Sequence, residues 1–425
     1  AVLASHDAQS NQVVDGEANH VSMDADGFTI NITNAFTDPS NPIVHYIAFG
    51  GADLSVDVNA VDLADTIDTA VDVTAPGFEP DVVISSYIGY FVDADGDGRN
   101  DDDSFALGWA VNPARQATNI QYSMMGASQD NTNPSHSMSR FDDTRAGTSY
   151  RDAAIDASYE IGSFDASGFS VTTRLAAATT NEIMGYLALK LGSNPKVYST
   201  ARTARTSVGD DVESGTGFQP IFLLGIGSAA VTTANFNTAG SSMAIGFTDG
   251  TNTYALMQHD QDAVTPSNNH NRVTNTQFMS ANAHGGTIDW EATFTSFDAS
   301  GWTINYGDAA TDAYQNAFLA IGINSAPDNP TINDHNDGSW TSDDTPTLGF
   351  TQSDPDTSEQ VKYQIQIDDT DNTFSNLVVD YTSDFMAEGA TSFTVGQAAG
   401  SGTYTVGSAS QTLAAGDYFW RVMTT

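Results

Sequence analysis

Apolar residues along this chain come in short runs such as Ile221-Phe222-Leu223-Leu224 and Phe318-Leu319-Ala320-Ile321, separated by clusters of Gly, Asn, Asp and Ser. Runs of this length bounded by turn-forming residues read as strands of a β-sandwich. Helical periodicity is scarce. The pattern therefore predicts an all-β chain.

The same pattern recurs. Ser22-Met23-Asp24-Ala25-Asp26-Gly27-Phe28-Thr29-Ile30 returns as Ser163-Phe164-Asp165-Ala166-Ser167-Gly168-Phe169-Ser170-Val171 and again as Ser296-Phe297-Asp298-Ala299-Ser300-Gly301-Trp302-Thr303-Ile304. Each copy has the chemistry of a tight hairpin turn leading into an alternating strand. Each is followed by an apolar strand: Tyr46-Ile47-Ala48-Phe49-Gly50, Tyr186-Leu187-Ala188-Leu189 and Phe318-Leu319-Ala320-Ile321-Gly322.

A front half appears twice, as Gly77-Phe78-Glu79-Pro80 before Val82-Val83-Ile84 and as Gly217-Phe218-Gln219-Pro220 before Ile221-Phe222-Leu223-Leu224. The middle strands Phe105-Ala106-Leu107-Gly108-Trp109 and Met243-Ala244-Ile245-Gly246-Phe247 follow. Such self-similarity marks tandem units, and units of this size suit jelly-roll-like sandwiches. The expected division is residues 1–50 as the back half of a unit, 51–192 and 193–324 as whole units, and 325–425 as a separate sandwich. Leu3-Ala4-Ser5-His6-Asp7 echoes Leu256-Met257-Gln258-His259-Asp260, and residues 1–50 are expected to need a complement from upstream sequence or another chain.

Charge narrows the partners. Thirteen Lys and Arg against 54 Asp and Glu give a net charge of −41, which argues against nucleic acid, because phosphates must be neutralised by cations. Basic partners or metal cations fit better, and a saline or calcium-containing medium is implied. Of the acids 46 are Asp and 8 are Glu, which places them in turns and loops rather than helices. There is no cysteine, so neither disulfides nor thiolate metal sites contribute. No apolar run is long enough to span a membrane. Any signal peptide is expected outside this sequence.

The sharpest chemical signal is Asp93-Ala94-Asp95-Gly96-Asp97-Gly98-Arg99-Asn100-Asp101-Asp102-Asp103. Carboxylates at alternate positions followed by glycine let a short loop wrap a hard cation. The expected calcium ligands are Asp93, Asp95, Asp97, the carbonyl of Arg99, and Asp101, with Asp103 or a distant acid closing the shell. Ser104 stands where a helix-loop-helix calcium site has its bidentate acid, and the loop looks more like those of dockerin-like and thrombospondin type 3-like segments. The second unit carries Ala229-Ala230-Val231-Thr232-Thr233-Ala234 in the corresponding region, so the loop belongs to one unit only.

Other chemistry is sparse. The eight histidines form no His-Glu-x-x-His pattern, no Gly-x-Ser-x-Gly occurs, and the glutamates (Glu17, Glu79, Glu160, Glu182, Glu213, Glu291, Glu359 and Glu388) stand apart in sequence where a glycosidase needs a pair. No catalytic residues are expected. Trp302 and Trp420 read as core, while Trp109, Trp290 and Trp340 are candidates for stacking on sugars. Asn31-Ile32-Thr33 is the one glycosylation-type sequon.

Two resemblances add context. The Gly-Phe-x-Pro strand, the Asp-x-x-Gly-Phe-Thr-type hairpin and the closing Tyr-Leu-Ala-Leu strand together resemble repeats of uncharacterised surface proteins from environmental bacteria and phages, which implies a surface or virion setting without an active site. The linker Ala326-Pro327-Asp328-Asn329-Pro330, the strand Val361-Lys362-Tyr363-Gln364-Ile365-Gln366-Ile367 and Tyr418-Phe419-Trp420-Arg421-Val422 resemble immunoglobulin-like and fibronectin type III-like modules, whose last strand would lie beyond Thr425. The expected role is a structural subunit of an extracellular surface layer, sheath or appendage, self-associating and stiffened by calcium. The alternatives are an adhesin or carbohydrate-binding array, and a phage fibre or decoration protein.

Overall fold

The computed structural model describes residues 3–6, 14–35, 45–51, 54–89, 102–118, 120–129, 136–151, 154–176, 183–192, 195–234, 236–237, 240–264, 269–282, 287–322, 327–335, 338–355, 360–398, 400 and 402–424. Among them there is no α-helix, and every sheet is antiparallel. The chain is an all-β sandwich protein.

Residues 54–191 supply ten strands in two sheets. The larger runs in the order His136–Asp142, Gln121–Gln129, Asp102–Val111, Val82–Gly89, Ile183–Leu191, Leu54–Asp62, and the smaller in the order Gly147–Arg151, Ala154–Asp165, Gly168–Leu175, Thr69–Val73. Residues 196–322 follow the same succession. Their larger sheet is Asn269–Thr274, Thr253–Gln261, Gly240–Thr248, Pro220–Ser228, Gln315–Gly322, Lys196–Thr203, and their smaller one is Met279–Asn282, Ile288–Asp298, Gly301–Asp308, Gly209–Glu213. In both, the third to sixth strands stay in one sheet as a meander. A strict jelly roll would pass between sheets there. Turns such as Asp249–Asn252, where the Asp249 carboxylate accepts from the amides of Thr251 and Asn252 at 2.9 and 2.6 Å, are too short to cross the roughly 10 Å between packed sheets.

The two larger sheets are covered on both faces. Side chains alternate across a strand, and in Ile183–Leu191 Met184, Tyr186 and Ala188 face the smaller sheet of their own sandwich, whereas Leu187, Leu189 and Leu191 face the other sandwich. Strand Gln315–Gly322 divides likewise, with Phe318 and Ala320 turned to its own smaller sheet and Ala317, Leu319 and Ile321 turned to the seam. Four sheets are thus stacked, small, large, large, small, around three apolar layers. The middle layer joins Trp109, Tyr122, Met124 and Phe141 to Phe222, Leu224, Ile226 and Met243.

Hydrogen bonds stitch the seam. The Trp109 indole donates to Ser199 Oγ at 2.7 Å, and Gln116 both donates to the Ser199 carbonyl (2.7 Å) and accepts from its amide (2.6 Å). Phe236–Asn237 leaves the second sandwich to pair with Arg140 and Ser139 at the edge of the first. Close approach inside each sandwich needs glycine. A Cβ on Gly108 would lie 2.3 Å from the Ala146 carbonyl oxygen, and one on Gly246, the equivalent position, 1.6 Å from that of Phe278.

The recurring hairpin has a common network. Ser22 and Thr29 both donate to Asp24 (2.9 and 2.7 Å), Ser296 and Thr303 both donate to Asp298 (2.7 Å each), and Ser163 donates to Asp165 at 2.9 Å. These bonds hold the Asp24 carboxyl below its ordinary pKa, the Thr29 hydroxyl contributing most and Ser22 next.

Leu3–His6, Val14–Asp24 and Gly27–Asn34 form a three-stranded sheet. Its bulge between Ser5 and His6 repeats the one between Ala281 and Asn282. Leu3–His6 therefore occupies the place of Met279–Asn282, and its sequence likeness to Leu256–Asp260 does not carry into the structure. Residues 45–51 form no strand, against expectation. A lone extended segment without paired neighbours is not stable in water, and here Phe49 packs edge-on against Phe222 at 5.2 Å and His45 against Tyr254 at 4.6 Å.

Residues 331–424 contain a sheet of Thr331–Ile332, Thr347–Gln352 and Gly389–Thr394 and a second of Gly402–Val406, Leu377–Ser383, Tyr363–Asp368 and Phe419–Thr424. Between them lies a core of Leu348, Phe350, Ile365, Tyr381 and Phe393. The expected strand over 361–367 breaks at Lys362, whose ammonium lies 4.2 Å above the Phe385 ring.

Leu319 is fully buried in the seam. Leu319→Ala should cost about 2–5 kcal/mol, read as a lowered urea midpoint with an unchanged m-value. A cost under about 1 kcal/mol would show that the seam is loosely packed.

Candidate functional site

The acidic loop hangs from a hairpin of the first larger sheet. Val82–Gly89 and Asp102–Val111 pair from Val82↔Val111 to Gly89↔Ser104. Of the expected ligands, Asp93, Asp95, Asp97, Arg99 and Asp101 lie outside the described residues. Asp103 is on the strand, with its backbone opposite Ser128. Among the described residues no three His, Asp or Glu side chains come together in a way that would hold a metal.

The corresponding connection of the second sandwich serves a different purpose. There the strands end at Ser228↔Met243, and the link carries Phe236–Asn237 across to the neighbouring sheet. One sandwich uses this hairpin as a clasp; in the other the same connection carries Asp93, Asp95, Asp97 and Asp101.

Several carboxylates singled out in the sequence are engaged by arginine. Glu160 accepts from Arg145 (3.0 Å) and from Arg174, which also reaches Asp68 at 2.7 Å. Glu213 and Asp211 share Arg202, and Glu291 pairs with Arg272. Asp211 chiefly, then Glu213, raises the Arg202 pKa further above its ordinary value. The open hollow of about 560 Å³ beside them is lined by Arg202, Arg205 and Asp211.

Tryptophan candidates separate by burial. Trp109, Trp290 and Trp302 are buried, and Trp109 is committed to the seam. Trp420 is partly buried against the C-terminal core and donates to the His335 carbonyl at 3.0 Å. Trp340 is 89% exposed, so of the three sugar-stacking candidates it alone presents a free ring. His259 is fully buried and stacks on His270 with centroids 6.4 Å apart, while its neighbour Asp260 accepts from Ser137 of the first sandwich. Asp260 thus belongs to the seam, and alternation along Thr253–Gln261 turns His259 to the opposite face.

The seam is the feature that sequence inspection missed. Its signal was present in runs such as Val82-Val83-Ile84 and Phe222-Leu223-Leu224, which lack alternation because both faces of the strand are covered. No known protein family matches this sequence, and no curated protein matches it either.

Burial in the seam pushes the Tyr122 hydroxyl up to about 12. Unfolded, the phenol ionises near pH 10, so between about pH 10 and 12 the folded chain holds a proton that the unfolded chain has lost. Stability from this group is complete below pH 10 and falls by roughly 2 kcal/mol across that window. Tyr122→Phe should flatten the alkaline limb of a urea-midpoint against pH curve. An unchanged limb would mean that Tyr122 is not desolvated.

Proposed function

We propose that this chain is a structural element of an extracellular assembly such as a surface layer, sheath or appendage, built from residues 51–192 and 193–324 as tandem units, with an immunoglobulin-like or fibronectin type III-like module over 325–425. The observation that carries the reading is the seam. Two sandwiches that share an apolar layer make one stiff block, a property useful in a load-bearing part. The engaged carboxylates and the acidic surface fit that reading better than catalysis. Self-association supplies the partner, and the −41 charge calls for cations to relieve repulsion between neighbouring copies.

Calcium is the proposed cation. Asp93, Asp95, Asp97 and Asp101, the Arg99 carbonyl and Asp103 offer six oxygen donors of the kind that ion takes. A second reading, adhesion to glycans, is favoured by the exposed ring of Trp340.

Calcium at 100 times its dissociation constant should stabilise the fold by about 2.7 kcal/mol. Chelation should lower the melting temperature, Asp95→Ala should remove that dependence, and electron microscopy of the native material should show the polymer loosening without calcium. No heat of calcium binding in calorimetry and no chelator effect would contradict the calcium part. Monomers under all conditions, with Trp340-dependent glycan binding, would favour adhesion instead.

A further inference from the structure

Residues 45–51 make two sets of aromatic contacts. His45 meets Tyr254 edge-on with ring centroids 4.6 Å apart and Phe247 at 6.2 Å, and Phe49 meets Phe222 at 5.2 Å. All three partners belong to the second sandwich: Phe222 to Pro220–Ser228, Phe247 to Gly240–Thr248 and Tyr254 to Thr253–Gln261. Tyr46 instead meets Phe28 of the N-terminal sheet, edge-on at 4.9 Å. The segment therefore straps the N-terminal sheet to the block formed by the two sandwiches.

One ring of the strap titrates close to neutral pH. Nδ1 and Nε2 of His45 are both buried, and neither has a hydrogen-bond partner. A neutral imidazole leaves one N–H donor unpaired there, whereas an imidazolium would leave two, together with a full charge among aromatic rings.

The surroundings supply no counter-ion among the described residues. Pro220–Ser228 and Gly240–Thr248 contain no ionisable side chain. On Thr253–Gln261 the ionisable groups are Tyr254 itself and, at the far end, His259 and Asp260, of which Asp260 accepts from Ser137. Asp249, in the hairpin between Phe247 and Tyr254, accepts from the amides of Thr251 and Asn252. Desolvation accordingly holds the His45 pKa below the ordinary histidine value.

We propose that residues 45–51 are an acid-released strap, docked on the second sandwich while the His45 imidazole is neutral and freed when it is protonated, so that the N-terminal sheet is held to the block at neutral pH and let go in acid. The docked ring resists the proton and the freed ring takes it up near pH 6.5, so docking is at full strength above that pH and weakens by up to about tenfold for each pH unit below it. The device concerns a joint within one chain and stands whether or not copies assemble.

The chain has no cysteine, so two introduced ones serve as unique labelling sites for the test. Asn19→Cys on the N-terminal sheet and Thr251→Cys in the hairpin beside Tyr254, both at exposed positions, carry nitroxide labels. Pulsed electron paramagnetic resonance of the full chain reads their separation at about pH 7.5 and about pH 5, on either side of the ordinary histidine pKa of about 6.5. One narrow distance distribution is expected at the higher pH and a broader, longer one at the lower. His45→Phe keeps an aromatic ring and removes the titration, so its distribution should stay narrow at both. A distribution that does not change with pH, one already broad at the higher pH, or the same broadening in His45→Phe would each overturn the strap.

Discussion

Burial of apolar surface between the two larger sheets is the interaction on which the rest of this molecule depends. A single sandwich needs only one covered face on each of its sheets. Here each larger sheet carries apolar side chains on both faces, so neither sandwich could stand alone in water without exposing its half of the layer, Trp109 and Leu189 on the first and Phe222 and Leu224 on the second. Exposed patches of that kind drive association. The seam resolves the problem within one chain, and the unbroken apolar runs become comprehensible as strands with two dry faces.

Other features follow from that constraint. Polar groups caught in the seam are paired across it, as with Trp109 and Ser199 or Ser137 and Asp260, since an unpaired polar group there would forfeit its hydration. The smaller sheets lie on the outer sides, so the turns and edges available to partners lie on the smaller sheets and the hairpin ends. The hairpin that holds the acidic loop in one sandwich holds the clasp strand Phe236–Asn237 in the other. The fold thus admits different inserts at one place.

The sandwich class was legible in the sequence because turn clusters and short apolar runs have a direct physical meaning. The Ser-x-Asp-x-x-Gly hairpin was legible too, and its hydrogen bonds to Asp24, Asp165 and Asp298 explain why those residue types recur. The strand order was not, since residues such as Phe105 and Met243 announce a strand without saying which neighbour it pairs with. Nor was the role of Trp109, a sugar-stacking candidate by residue type and a seam residue by position. Tyr46–Gly50 read as a strand because apolar character is local, whereas pairing depends on partners elsewhere. The proposed calcium ligands rest on spacing alone, apart from the placement of Asp103 on its strand.

The central claim is that the two sandwiches form one cooperative body through their shared apolar layer. Native-state hydrogen exchange under increasing denaturant measures this directly. Amides of Val82–Gly89 and Ile183–Leu191 in the first sandwich, and of Pro220–Ser228 and Gln315–Gly322 in the second, should exchange through a single opening with one common free energy and one common denaturant dependence. Two separate openings, with one sandwich exchanging fully while the other stays protected, would contradict the account.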